Sequence, residues 1–313
     1  MGYRTLVSRA EVPEWTSRSI KGIAFHRDLY ATPRSPDVDE FERWVATEFE
    51  EPALDALERA TTDRPLVADD LRRLGGFFAA QDVRTPASFL ESQERWETQI
   101  PETLQHTIDK ALKKIKHAQE RGVPVELPPP RPNSFADTLR ISIEPHDEGR
   151  SAIRVKIASG RALWIASMRH LLTGKAVATL QQNRWSIVEP SGNDEWFTSD
   201  HPAMRLHFNS VADYNFGGGW GRKNCDLLLP LSPRHLLYAQ VGVRHPDRFM
   251  FRPDQTRLIQ RFLAERASRW IFARAPLAVV SQDRPRVVDA DRVKAEEQFW
   301  AHWDKANRQA EAE

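Results

Sequence analysis

The sequence predicts an α+β fold in which a helical N-terminal half packs on a β-rich C-terminal half with an amphipathic C-terminal helix. Apolar residues recur at helical spacing between positions 37 and 121, and short alternating segments follow from position 139. Hydrophobic residues make up 40% of the 313 positions, enough to form a buried core. Because helices and strands occupy separate parts of the chain, the pattern favours α+β over an alternating α/β fold.

The N-terminal half contains three predicted helical segments and one short predicted strand. The strand covers residues 20–26. The first helix begins at Asp37, an acceptable N-cap with Glu40 three residues later. A second helix fits 66–81, and a third stretch fits 86–121 with a division near Pro101, since proline removes a backbone donor.

A proline-rich segment is the best candidate for a boundary. Residues 122–133, GVPVELPPPRPN, hold five prolines and are predicted to form a connector. They separate a mostly helical region, 1–121, from a β-rich α+β region, 134–290. A charged helical tail is predicted over 291–313.

The β-rich region contains six predicted strands, at 139–143, 153–157, 185–188, 196–198, 226–229 and 236–241. A buried helix fits 161–172, and an amphipathic helix fits 256–273, with Leu258, Phe262 and Trp270 on its inward face. The apolar residues 277–281 favour one more strand.

Charge is unevenly distributed although the formal net charge is only +1. Residues 37–70 contain twelve acidic and three basic residues, and residues 202–284 contain thirteen basic and six acidic residues. Two regions of opposite charge can pair with each other within the fold, which we favour. Alternatively, the basic region binds an anionic partner.

Several classes of protein are excluded or disfavoured by composition. The single cysteine, Cys225, excludes an internal disulfide and a cysteine-based metal site within the chain. No apolar run reaches the ~18 residues that a membrane span needs. The first residues also lack the apolar core of a signal peptide, so we expect a cytoplasmic protein without membrane contact.

The segment EWFTSDHP, residues 195–202, is the strongest local indication of a site. A predicted strand delivers Ser199, Asp200 and His201 to a turn that Pro202 enforces. Carboxylate and imidazole groups at a strand end suit metal binding or acid–base chemistry. The alternative is that Ser199 and Asp200 bond the backbone and only stabilise the turn.

Three other features are weaker. Arg234 and His235 follow LPLSP, residues 229–233, where they either face the edge that carries Asp200 or simply end an edge strand. Arg84 ends a helix beside apolar residues and therefore needs a carboxylate partner, for which Glu50 and Glu48 are the candidates. The glycine-rich segment 216–222, FGGGWGR, matches no phosphate-binding motif and is predicted to be a surface loop that orders over a ligand.

Six short segments occur in a fixed order: residues 19–30, the acidic helix through Glu50, and residues 78–86, 197–202, 229–233 and 257–260 followed by 267–272. This series resembles the bacterial domain-of-unknown-function family 4238 over about residues 18–275. The His-x-Val-Pro segment with which family members usually begin is not evident here, and Leu258–Ile259 stands where they carry Leu-Asn. The resemblance implies a fold and three polar landmarks, Asp200, Arg84 and Glu50, but no reaction.

These residues favour a metal-dependent hydrolase with nucleic acid as its candidate substrate. Asp200 and Glu50 would bind Mg²⁺ or Mn²⁺, and His201 would act as base or ligand. Arg84 or Arg234 would hold phosphate.

The alternative function is a non-catalytic binding module. Its basic C-terminal half would dock an acidic protein or a nucleic acid, with binding that weakens in salt. Ser199, Arg234 and His235 are the further binding residues that the sequence suggests. Whether the protein is an enzyme stays open at this point.

Overall fold

The computed structural model describes residues 1–9, 14–19, 23, 29–30, 39–122, 140–146, 150–156 and 161–310. Helices dominate the N-terminal half and sheets the C-terminal half, so the chain is α+β as predicted. It divides into two compact units, one formed by Met1–Ser88 with Met168–Glu313 and the other by Phe89–Ser167. Most of the predicted strand 20–26 and of the connector 122–133 lies outside the described residues, and the domain boundaries stay predictions.

The N-terminal helices follow one another with little intervening loop. Helix α1 (Glu40–Val45) continues through a π-helical turn (Ala46–Glu50) and a 3₁₀ turn (Glu51–Ala53) into α2 (Leu54–Thr61). Helix α3 (Ala68–Val83) buries Leu74 and Phe78 completely. The predicted apolar stripe of the second helix is therefore the face that enters the core.

Two glycines of α3 let a neighbouring helix approach closely. A Cβ atom on Gly75 would lie 2.7 Å from Nε1 of Trp185, and one on Gly76 would lie 3.1 Å from Nε2 of Gln181. Gln181 ends helix α6 (Lys175–Gln181). The absence of side chains at these two positions thus fixes how the helical part packs on the residues that lead into the sheet.

The strands of the described residues form two main sheets and two small ones. They are β1 (Gly2–Arg4), β2 (Leu6–Val7), β3 (Trp15–Thr16), β4 (Arg140–His146), β5 (Arg150–Lys156), β6 (Ser186–Glu189), β7 (Thr198–Ser199), β8 (Met204–Ser210), β9 (Asp213–Asn215), β10 (Cys225–Pro230), β11 (Leu236–Gln240), β12 (Arg248–Met250), β13 (Trp270–Phe272) and β14 (Val287–Val288). The six-stranded sheet has the order β12-β6-β11-β10-β8-β9, and the four-stranded sheet has the order β3-β1-β13-β7. Strands β14 and β2 pair in parallel, and β4 and β5 form an antiparallel hairpin.

The main core lies between these sheets and helix α7 (Pro253–Arg266). Phe262 and Leu263 of α7 belong to one buried cluster with Leu228 and Tyr238 of the larger sheet and Ile271 of the smaller one. Burying apolar side chains of this size contributes about 1.5–3 kcal/mol each. Helix α7 therefore holds the two main sheets against a common core.

Two predictions for the C-terminal region were wrong. The helix predicted over 256–273 ends at Arg266, and Trp270–Phe272 forms β13, because the N–H groups of Ser268 and Arg269 bond the Asp200 side chain instead of continuing a helix. The strand predicted over 277–281 is helix α8 (Ala278–Asp283), since a short apolar run fits either structure. The tail is helical as predicted, as α9 (Ala290–Ala310).

The unit Phe89–Ser167 contains most of helix α4 (Pro86–Glu120), the β4–β5 hairpin and the start of α5 (Arg161–Thr173). Helix α4 runs through Pro101 without the division that the sequence favoured. The rings of Phe89 and Trp164 lie 4.9 Å apart between centroids and join α4 to α5. Across the described parts of the chain, no helix combines the length and apolar character needed to cross a membrane.

Candidate functional site

A group of buried polar side chains lies where the end of α3, the start of β8 and the end of α7 come together. We call it the His201 cluster, and it consists of Asp82, Ser88, His201, Arg205, Trp220 and Arg266. Asp82 and His201 are only 3% and 2% exposed. Buried polar groups need hydrogen-bonding partners, and the residues of this cluster serve as partners for one another.

Asp82 is held by two residues from the β-rich half. Its Oδ2 atom lies 3.1 Å from Nε of Arg205 and accepts a hydrogen bond of 2.8 Å from the indole of Trp220. Arg205 belongs to β8, and Trp220 belongs to the glycine-rich loop, residues 216–222. The carboxylate therefore joins α3 to two elements that are far away in sequence.

The glycine-rich loop is fixed against β8. The N–H of Gly218 donates to the carbonyl of Arg205 at 3.2 Å, and a Cβ atom on Gly218 would lie 2.9 Å from that carbonyl oxygen. A side chain at this position would force the backbone apart. Glycine is thus required for the close approach that brings Trp220 to Asp82.

The turn between α3 and α4 sets the position of Ser88. Its hydroxyl donates to the carbonyl of Asp82 and accepts from the hydroxyl of Thr85 at 3.0 Å. The same oxygen lies 3.3 Å from Nε2 of His201. A hydroxyl and an imidazole from distant segments are therefore neighbours in a buried setting.

His201 is neutral in this environment. Nη2 of Arg266 lies 2.8 Å from Nε2 of His201, and because a guanidinium only donates, Nε2 accepts and the ring proton is on Nδ1. Burial, followed by the charges of Arg266 and Arg205, holds the pKa of His201 well below its usual value. The cluster thus contains an uncharged imidazole between two cations.

This arrangement suits an anionic ligand. Arg205 and Arg266 bring two positive charges to the cluster, and Asp82 brings one negative charge. The Arg205 side chain is 24% exposed, and Arg266 and Trp220 are half-buried. Guanidinium groups bind phosphate and carboxylate through paired donors, which is the chemistry that an anion would meet here.

Asp200 bonds the backbone of a distant segment, and only Ser199 makes a local contact of the kind that the turn alternative describes. Its Oδ1 accepts from the N–H of Ser268 at 3.0 Å, and its Oδ2 accepts from the N–H of Arg269 at 2.8 Å. The hydroxyl of Ser199 accepts from the N–H of His201 at 3.1 Å. Burial raises the pKa of the Asp200 carboxyl, although three backbone N–H groups, first that of Arg269, oppose this.

Glu50 and Arg84 form an ion pair, so the carboxylate partner expected for Arg84 is present. Glu50 ends the π-helical turn, and Arg84 follows the last residue of α3. Tyr30 lies in the same surroundings, where burial raises its pKa against the opposing charge of Arg84. The pair is partly buried, and the structural ion pair that the sequence offered as the alternative to catalysis is compatible with this contact.

Arg234 and His235 connect other parts of the fold. Nη1 of Arg234 donates to the carbonyls of Gly192 and Asp194, both at 2.8 Å. His235 lies between the Ser232 hydroxyl, 2.8 Å from Nδ1, and the Asp63 carboxylate, 3.0 Å from Nε2. Within the described residues, no hydrogen bond or ion pair links this pair to Asp200 or Glu50.

The comparison with protein-family models gives a match over residues 5–276 to a protein of unknown function, DUF4238. The chain belongs to the DUF4238 family. The searches of curated proteins and of solved structures each give no match. The DUF4238 match covers most of the chain and agrees with the resemblance that the short segments indicate, but it carries no reaction.

Two of the segments that indicated DUF4238 meet at the His201 cluster. Asp82 lies in 78–86 and His201 lies in 197–202, while Arg266 lies between the pieces 257–260 and 267–272. The sequence singled out only His201 among the six cluster residues. The order of the family segments was the one signal that connects Asp82 with His201, since no local spacing links residues so far apart.

The predicted metal site of this DUF4238 member stays a prediction. Across the described ranges, no three His, Cys, Asp or Glu side chains are grouped closely enough to hold a metal ion. The two candidate ligands are already engaged, Asp200 by backbone N–H groups and Glu50 by Arg84. A cation at either residue therefore needs these contacts to rearrange.

Proposed function

We propose that this DUF4238 protein binds nucleic acid, or a nucleotide, through a phosphate group placed at the His201 cluster. The observation that carries the proposal is the Arg266 guanidinium on the neutral His201, beside the ion pair of Arg205 with Asp82. An anion at this position would accept charge-assisted hydrogen bonds from the guanidinium groups.

The surface next to the cluster supports a polyanionic ligand. Arg222 and Lys223 are exposed just after Trp220, and the side chain of Asn183 donates to the Trp220 carbonyl at 2.9 Å, next to the exposed Arg184. In the part of the chain that the structure describes, Arg184, Arg222 and Lys223 lie in no ion pair. Each is available for a phosphate.

Much of the other positive charge of the C-terminal half is paired internally. Arg248, for example, bonds Asp63 of the acidic region at 3.0 Å. Within the described residues, six more arginines between positions 202 and 284 form ion pairs, namely Arg234, Arg252, Arg257, Arg261, Arg269 and Arg274. This pairing favours a localised anion site over a whole basic face that would dock an acidic protein.

Phosphodiester hydrolysis is the second candidate, and the state of His201 favours it. Once Arg266 turns from Nε2 of His201 to the phosphate, the freed lone pair of the neutral imidazole can take a proton from an attacking water, while the two guanidinium groups stabilise the charge that develops on phosphate. The Mg²⁺ or Mn²⁺ that the sequence predicts remains part of this second proposal, with Asp200 and Glu50 as candidate ligands.

Binding is tested by fluorescence anisotropy with labelled single-stranded oligonucleotides over a range of salt concentrations. We expect binding that weakens with salt and falls by about tenfold or more in Arg266→Gln, because a charged hydrogen bond contributes about 1.5–3 kcal/mol. Arg252→Gln is the matched control, since it removes the same charge from an exposed arginine of the same half. Equal losses in both variants would mean that only general charge attracts the ligand, and no binding by the wild type would refute the proposal.

Hydrolysis is tested on the same oligonucleotides with Mg²⁺ or Mn²⁺, with and without a chelator. Cleavage by the wild type that disappears in His201→Gln supports the enzyme, and its loss on chelation supports a metal ion. Intact oligonucleotide under all conditions, with binding retained, leaves the protein as a binding module. An acidic polypeptide added as competitor measures whether the site accepts carboxylates in place of phosphate.

A further inference from the structure

Two buried atoms of the Asp82–Arg205 ion pair have hydrogen-bonding capacity that the described residues do not use. Oδ1 of Asp82 accepts no hydrogen bond, and Nε of Arg205 donates none within these parts of the chain. The Arg205 Nε lies 3.1 Å from the other carboxylate oxygen of Asp82, an ion-pair contact whose geometry is not that of a hydrogen bond. One unsatisfied acceptor and one unsatisfied donor therefore belong to the same ion pair.

Leaving such atoms unsatisfied is costly. A buried polar atom without a partner loses the hydrogen bonds that it makes with water in the unfolded chain, and the loss is larger when the group is charged. A hydroxyl is the smallest organic group that serves both atoms, because its hydrogen can be donated to Asp82 Oδ1 while its oxygen accepts from Arg205 Nε. An amide N–H or an ammonium group supplies the first contact but not the second.

On the basis of the proposed function, we infer that the ligand presents the 2′-hydroxyl of a ribose to Asp82 and Arg205, so that the protein selects RNA over DNA. The phosphate would lie on Arg205 and Arg266, and Asp82 would determine the choice of sugar. The 2′-hydroxyl is the group by which proteins distinguish the two nucleic acids, and it is both donor and acceptor.

The position of Asp82 suits this role. Its other oxygen lies 3.1 Å from Nε of Arg205, a contact that still orients Oδ1 when Trp220 moves. Trp220 is half-buried and is carried by a loop with three consecutive glycines, Gly217–Gly219. Access of a ribose to Asp82 requires a displacement of Trp220, which glycines on one side of it permit.

The test compares three oligonucleotides of one sequence that differ only at the 2′ position: RNA, DNA and 2′-O-methyl RNA. The methyl ether keeps the oxygen but cannot donate to Asp82. We expect the wild type to bind RNA about tenfold more tightly than either of the others, the fold-change that corresponds to one hydrogen bond to a charged group. In Asp82→Asn, which keeps one acceptor oxygen but replaces the second by an amide NH₂, the ratio of RNA affinity to DNA affinity should fall to about twofold or less.

The outcomes separate this inference from the proposed function. Equal wild-type affinity for all three oligonucleotides overturns the inference and leaves phosphate binding standing. No binding to any of them overturns both. If circular dichroism shows that the Asp82→Asn protein is folded and it still prefers RNA, another residue recognises the sugar. If that variant does not fold, the comparison of the three oligonucleotides with the wild type decides.

Discussion

The indole N–H of Trp220 donates a hydrogen bond of 2.8 Å to the carboxylate of Asp82, which lies 138 residues earlier in the chain. This contact joins the glycine-rich loop of the β-rich half to the end of α3. The same carboxylate pairs with Arg205, whose charge in turn helps to keep His201 neutral. The stability of the loop and the chemistry of the site therefore depend on one another.

Trp220→Phe should lower the free energy of unfolding by about 1–2 kcal/mol, because it removes a hydrogen bond to a buried charged group. Urea denaturation measures the change. Trp15→Phe is the control. The ring centroid of this half-buried tryptophan lies 5.3 Å from that of Tyr3, and its indole makes no hydrogen bond within the described residues. Equal losses in the two variants would show that the hydrogen bond to Asp82 contributes nothing beyond packing.

Gly218→Ala should destabilise the protein by about 1–3 kcal/mol through overpacking, since the new methyl group would lie 2.9 Å from the Arg205 carbonyl and 3.2 Å from Sγ of Cys225. Gly219→Ala provides the comparison, because its methyl group would meet only the Arg222 side chain at 3.3 Å and its backbone nitrogen at 3.9 Å. Thermal unfolding of both variants measures the difference. A Gly218→Ala protein as stable as Gly219→Ala would contradict the close loop contact.

Stability should fall in mild acid because of His201. Its pKa is well below the ordinary value in the folded state, so between about pH 6.5 and the folded pKa only the unfolded chain takes up a proton at this residue. Stability therefore decreases as pH falls through this window, by about 1.4 kcal/mol between pH 7.5 and 5.5. His201→Gln should lose this part of the pH dependence in urea denaturation at the two pH values, and identical pH dependence in both proteins would be evidence against a buried neutral His201.

Asp226→Asn should stabilise the protein above neutral pH. Burial raises the pKa of the Asp226 carboxyl to about 6, although the Tyr238 hydroxyl donates to it at 3.0 Å. A raised carboxyl pKa means that stability decreases as pH rises from about 4 to 6, so a neutral amide gains about 1–3 kcal/mol at pH 7.5 and little at pH 4. Asp254→Asn, at an exposed carboxylate with a lowered pKa, should not stabilise. A less stable Asp226→Asn protein at pH 7.5 would be the contrary result.

Asp200→Ala should cost about 2–4 kcal/mol of stability, because it leaves the N–H groups of Ser268 and Arg269 without their acceptors. Asp200→Asn should cost less, since it keeps one acceptor oxygen. Chemical denaturation measures both variants. A fully stable Asp200→Ala protein that has lost Mg²⁺ binding would instead support the metal-dependent hydrolase.

The sequence predicted those features that depend on neighbours along the chain. The apolar stripe of α3 and the need of Arg84 for a carboxylate could both be read from local spacing. The favoured internal pairing of acidic and basic regions is illustrated by Arg248 and Asp63.

The partners of His201 could not be predicted in this way, since Ser88 and Arg266 are 113 and 65 residues away. Contacts over such separations depend on the complete fold. The same reason explains the misplaced end of α7, where the distant Asp200 side chain takes the N–H groups of Ser268 and Arg269. Trp220 was placed in a loop expected to order over a ligand, and the fold instead brings it to Asp82.

The most direct test of phosphate binding at the His201 cluster is NMR of ¹⁵N-histidine-labelled protein titrated with a single-stranded RNA oligonucleotide. The His201 signals are assigned from the spectrum of His201→Gln, and His302, which is exposed on α9, serves as the internal reference. If the phosphate binds at the His201 cluster, the chemical shifts of the His201 ring nitrogens change in step with saturation while those of His302 do not. Saturable binding with unchanged His201 chemical shifts would place the phosphate away from the His201 cluster.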